Sequence, residues 1–300
     1  MSHTADPSGA QAAPLAQPGR SRALLSWLGI VPFAVFTLAF LGVPTFKLIV
    51  GSFVDSTGAV SLSNYEDFGS KLVFNAYQTS IEISLVTAIA AAVFGFLLAY
   101  AVISGGLPKP IRAAVMTFSG VASNFAGIPL ALAFIFTLGR QGLVTVFLVG
   151  LGVNPYAAGF NLYGKLGLEI VYFYFQLPLM VLVIAPAIDG LKRDWREASE
   201  NLGASSFQFW RYIALPILMP SLLGSVMLLF GNAFGAQATA AQLTGGLLNL
   251  VPLLIGDQLS GDVLHTPGKG FAYAVGMIVI MAVALAGYAL LQRRAERWRR

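Results

Sequence analysis

Six apolar runs, each long enough to cross a lipid bilayer, divide the chain at about 26–50, 76–104, 112–137, 166–188, 217–240 and 270–292. A bilayer core takes about 20 apolar residues in a helix. Inside it every backbone amide must bond within its own segment, so helices are the expected form. Polar connections fall at 51–75, 105–111, 138–165, 189–216 and 241–269. The pattern predicts an all-α integral membrane protein of about six transmembrane helices. Residues 1–25 are rich in Ala, Pro, Ser and Gly and predict a disordered tail. The run from Trp27 is too long for the core of a cleaved leader, and no small-residue cleavage site follows it, so it reads as a retained span. With no linker and no strong internal repeat, 26–292 reads as one membrane domain, closed by a basic C-terminus at 293–300.

Composition agrees with that class. Charged residues make up 10% of the chain, against roughly a quarter in soluble domains. The absence of cysteine excludes disulfides and thiolate metal sites. The two histidines, His3 and His265, are too few for a metal cluster. Thirteen of the eighteen lysines and arginines lie in the tail, in 105–112, in 189–216 and after 292. The positive-inside rule therefore places both termini and the 189–216 connection in the cytoplasm. The basic C-terminus reads as a headgroup anchor, not as a nucleic-acid-binding segment.

The 189–216 connection is the most polar long stretch, and its second part reads EASENLGASSFQFWRYIALP from Glu197 to Pro216. Asp194 to Leu202 has good helix formers with acidic residues early. Asp194 is the expected N-cap, with Glu197 completing a capping box. Gly203 can take the positive φ that ends a helix. Ser205 or Ser206 would cap a second helix through about Ala214, with Pro216 interrupting before the fifth run. Phe207, Phe209, Trp210 and Tyr212 are more aromatic surface than a plain loop needs. On spacing alone two readings stand: an amphipathic helix on the headgroups, or a docking element for another protein.

The same stretch carries a resemblance. The pattern E-A-A-x3-G-x9-I-x-L-P of permease subunits of type I binding-protein-dependent ABC importers is matched at Glu197, Ala198, Gly203, Ile213, Leu215 and Pro216. Ser199 stands where the pattern has Ala. The resemblance covers about 76–292. It implies that 194–216 is a coupling element seated on a separate ABC ATPase dimer. It also implies a second permease subunit, identical or different, a periplasmic or lipid-anchored solute-binding protein, and a bacterial inner membrane. The chain itself reads as no enzyme. The Gly-Lys pairs at 164–165 and 268–269 are followed by Leu166 and Gly270, where a phosphate-binding loop needs Ser or Thr. ATP and magnesium are therefore expected on the partner, with no cofactor on this chain.

Polar residues inside spans are the candidates for a translocation path. They are Glu82, Asn124, Glu169, Gln176, Asn232 and Gln237. For the carboxylates the plain alternative is a hydrated interface; for the amides it is helix packing. Small residues Gly224, Ser225, Gly231, Ala233 and Gly235 suggest close packing of the fifth run, against a partner permease. Asp257 and Asp262 are candidates for the periplasmic mouth, with a solvated loop as the alternative. The segments FGNAFGAQATAAQLTGG and NLVPLLIGDQLSGDVL resemble spermidine/putrescine-type permeases, which implies a polyamine. Glu82, Glu169, Asp257, Asp262, Tyr172 and Tyr174 would offer it carboxylates and aromatic faces. Ferric iron, phosphonate and sulfate-type anions are the alternatives within the same machinery. A secondary transporter working without an ATPase would need ionisable groups at mid-span, and these runs largely lack them. A membrane enzyme would need a converging nucleophile, base or metal set.

Overall fold

The computed structural model describes residues 29–260 and 266–297, and all of its named elements are helical. The tail 1–25, Asp262, His265 and the last three residues lie outside the described residues. Two units are described separately, one ending at Val50 and one beginning at Gly51.

All but the last residue of helix α1, Val31–Gly51, lies in the first unit. Pro32 sits in its first turn, where a missing N–H costs nothing. A π-helical turn, Leu38–Gly42, ends just before Val43 and Pro44. Proline clashes with the carbonyl four residues back and offers no N–H. Widening the preceding turn by one residue makes room for it.

The second unit is built on α2, Lys71–Ser104, and α6, Lys165–Asp189. Ser70 caps α2 by accepting from the Val73 amide at 3.3 Å. Most of the buried stripe of α2 is small: Ala76, Ser80, Ser84, Thr87, Ala88, Ala91, Gly95 and Ala99, with Val73, Ile83 and Val102 as its larger members. A Cβ at Gly95 would lie 2.7 Å from Met180 Cβ and 3.0 Å from the Leu177 carbonyl, so the two backbones approach as closely as Gly permits. Helix α8, Ser206–Phe234, completes this core with Leu229, Phe230 and Phe234. Exposed Phe, Leu and Val lie on α1 and on the outward faces of α2 and α8, as lipid-facing helices must.

The third run is not one continuous helix, which corrects the expectation for 112–137. It divides into α3, Lys109–Asn124, and α4, Gly127–Leu138. Arg112 on α3 pairs with Asp189 at the end of α6. At the other end, Tyr156 donates to the Leu138 carbonyl at 2.9 Å and Tyr163 lies beside Gly139. Together α3 and α4 thus run antiparallel to α6 along its length. The window Gly127–Gly150 is also apolar enough to cross a membrane. It contains a turn at Arg140 before α5, Leu143–Gly150, so α3 with α4 is the better crossing.

The fifth run is corrected at both ends. Its helix begins at Ser206, not 217, and stops at Phe234, not 240. Pro216 does not interrupt it. A π-helical turn, Trp210–Ala214, precedes this proline as another precedes Pro44, and the helix continues. After Gly235 and Ala236 the chain restarts as α9, Gln237–Thr244. Helix α10, Val251–Ser260, packs on α11, Pro267–Arg297, which runs past the expected limit at 292.

Candidate functional site

The elbow 189–216 forms two helices around one turn. Helix α7, Arg193–Asn201, ends at Gly203, whose φ is +79°. The Gly203 amide donates to the Glu200 carbonyl and the Ala204 amide to the Ser199 carbonyl, both at 2.9 Å. This Schellman closure requires the left-handed residue, so Gly203 has a geometric reason to be glycine. Ser205 then caps α8 with a full capping box: it accepts from the Gln208 amide, and Gln208 Oε1 accepts from the Ser205 amide. Asp194 is not the N-cap of α7. Lys192 holds that position without a side-chain bond, and Asp194 sits in the first turn beside the helix dipole.

The motif residues divide by exposure. Glu197, Ala198, Gly203 and Pro216 are exposed, Ile213 and Leu215 are half-buried, and Ser199 is buried. The Ser199 hydroxyl donates to the Arg196 carbonyl at 2.7 Å, so a serine fits a small buried position without leaving a polar group unpaired. Arg196 pairs with Glu200 one turn on, and this contact raises the Arg196 pKa. At the tip, Leu202 is 89% and Phe207 77% exposed, an apolar pair facing away from the core.

The path candidates separate. Glu82 pairs with Lys165 at 2.5 Å, level with the start of α6, and Glu169 lies half-buried one turn further along. This pairing also occupies the lysine of Gly164-Lys165. Gln176 is fully buried: its amide donates to Thr87 Oγ1 at 2.8 Å, and its Oε1 has no partner. Asn124 and Gln237 flank the two helix breaks, and Asn232 precedes the second; all three are exposed. Asn124 bonds to the Gly120 carbonyl of its own helix, and the Gln237 amide packs against Gly256 of α10.

The breaks face each other. Thr239 Oγ1 accepts from the Gly127 amide at 2.9 Å, joining α9 to the start of α4. Tyr172 donates to the Ala236 carbonyl at 2.7 Å. Irregular backbone at membrane depth needs such partners. Spacing could not have revealed Thr239 or Tyr172 in this role, because their partners lie 112 and 64 residues away. The small residues of α8 pack within the chain: a Cβ at Gly224 would meet Tyr288, and one at Gly231 would meet Met281. That replaces the expectation of a partner permease at those two positions.

At the end opposite the elbow, a cleft of about 540 Å3 is lined by Asp55, Asn64, Glu66 and Lys269. Thr57, first through its hydroxyl and then its amide, holds the Asp55 carboxyl below its ordinary pKa. Lys269 pairs with Asp67 at 2.6 Å. Asp257 is exposed on α10.

Among the described residues six helical segments are apolar enough to cross a membrane, and the second unit carries the polar elbow and the two helix breaks; these are the features of a multi-pass membrane protein. Residues 91–297 match the family model described as binding-protein-dependent transport system inner membrane component, and the chain belongs to that family. It is the permease subunit of a type I ABC importer of small solutes, not an enzyme; ATP hydrolysis is the work of a partner ATPase. Relatives include the spermidine/putrescine transport system permease protein PotB of Haemophilus influenzae, 24% identical over 91% of this chain and 94% of its own. Another is a probable sulfate transport system permease protein, cysT, of Nephroselmis olivacea, also 24% identical, over 67% of this chain and 68% of its own. Among solved structures, a bacterial ABC transporter involved in the import of alginate matches with a TM-score of 0.72. It is 17% identical and covers 91% of this chain and 96% of that one.

Proposed function

We propose that this permease sits in a bacterial inner membrane with α7 on the cytoplasmic side, and that α7 and its turn seat on a separate ABC ATPase dimer. A second permease subunit and a solute-binding protein on the opposite face complete the assembly, and ATP and magnesium bind on the ATPase. The observation that carries this reading is the elbow's construction. It is closed on itself by the Gly203 turn and the Ser205 capping box, yet exposes Leu202 and Phe207. A helix resting on headgroups would bring one continuous apolar face to the membrane. Here the exposed apolar residues sit on a tight turn, a shape suited to a groove on a protein. The chain alone should hydrolyse no ATP. In the assembled complex, Gly203→Pro should leave ATP turnover but stop uptake; unchanged uptake would refute the docking role.

For the solute we propose a polyamine. The PotB relatives support it, as do the carboxylates Asp55, Glu66 and Asp257 at the end that would face outward. The cysT relatives favour an oxyanion as the second reading. Uptake of labelled putrescine, competed in turn with ferric iron, aminoethylphosphonate and sulfate, decides between them. Absence of putrescine uptake ends the polyamine reading.

A further inference from the structure

The elbow touches the bundle unevenly. A cleft of about 740 Å3 separates α7 from the ends of α2, α3 and α6. The salt bridge and the capping bonds of α7 close on α7 and its own turn. A push on α7 therefore leaves it mainly at its two ends. At the first, Asp189 meets Arg112 in an ion pair whose side chains are 47% and 39% exposed, and water screens such pairs. At the second, the contact is aromatic and drier. The Trp210 ring stands edge-on to Tyr100 at 4.9 Å and to Phe96 at 6.2 Å, and buried Phe209 flanks it at 6.4 Å. Such rings interlock by shape and do not slide freely. Trp210 also opens the π-helical turn of α8, where the backbone ladder is already widened.

Tyr100 and Phe96 belong to α2, a helix of 34 residues with no internal proline. At 1.5 Å per residue it is about 51 Å long. Its other end holds the outer helices: Tyr77 donates to the Tyr273 carbonyl of α11 at 2.6 Å, and Ser80 Oγ accepts from the Val251 amide of α10 at 3.0 Å. We infer that Trp210 is a positioning residue for transport, gripping α2 so that displacement of the elbow reaches the α10 and α11 contacts at the far end. The inference rests on the proposed seating of α7 on an ATPase.

The test uses the complete complex in lipid nanodiscs and in vesicles. Because the chain has no cysteine, Leu247→Cys in the exposed α9–α10 loop gives a single labelling site on this chain, and its label is read on the separated permease band. In the unaltered complex, the maleimide labelling rate should change between the ATP-free and the ATP-vanadate states. Trp210→Ala should keep ATP turnover within about twofold, lower uptake by about tenfold or more, and abolish the labelling change. Trp210→Phe should restore uptake and the labelling change in large part. Tyr100→Ala, which removes the other half of the contact, should behave as Trp210→Ala and decides the matter if that variant does not assemble. Normal uptake and labelling in either alanine variant, within a complex that holds its ATPase, would overturn the inference alone. An unaltered chain that binds no ATPase would remove the docking reading and the inference together.

Discussion

Two residues separate what chemistry demands from what packing permits. Gly203 has open space around its Cα but a φ of +79°. Ala there would clash with nothing, yet the left-handed backbone costs a side chain about 1–2 kcal/mol. Gly203→Ala should therefore loosen the elbow without disturbing the bundle. Uptake should fall while the detergent melting temperature stays within a few degrees; a large drop in melting temperature would place the strain in the core instead. Gln176 is the reverse case. Its Oε1 is buried without a partner, and Thr87 keeps the Ile83 carbonyl as an acceptor if the amide is lost. Removing an unpaired buried carbonyl is neutral or stabilising by about 1 kcal/mol. Gln176→Leu should melt at the same temperature or higher. If it does so and uptake is lost, Gln176 serves the path; if uptake is kept, it serves packing.

At the scale of elements, the apolar pattern reveals helices far better than it reveals their interruptions. The breaks at Phe125–Ala126 and Gly235–Ala236 contain no charge and no proline, so hydropathy passes straight over them. What makes them possible is tertiary: Thr239 satisfies the Gly127 amide, and Tyr172 the Ala236 carbonyl. Pro216 misleads in the opposite direction. It looks like a stop, but a π-helical turn absorbs it, as another does at Pro44. The elbow was legible because its signals are local: a glycine at a helix end and a serine three residues before Gln208. Its anchors on α2 and α3 were not, since Trp210 meets Tyr100, far back in the chain, and Asp189 meets Arg112, 77 positions away. Thr239→Val should cost about 1 kcal/mol through the orphaned Gly127 amide. Thr239→Ser should recover most of it, with denaturation in detergent as the measurement. Equal stability of the two variants would mean that the α4–α9 junction holds without this bond.

At the scale of the molecule, the second unit is a helical bundle with one polar handle and, at the opposite end, a cleft lined by carboxylates. The family match covers the bundle from the middle of α2 to the end of α11, and with it the handle. The most direct measurement places a single cysteine at Asn201, exposed beside the Gly203 turn, in the otherwise cysteine-free chain. A short bifunctional cross-linker in native membranes should join it to an ATPase subunit. In spheroplasts, an impermeant maleimide should leave it unlabelled. Labelling from outside, or a cross-link yield at Asn201 no higher than at an exposed site on α10, would contradict the central claim.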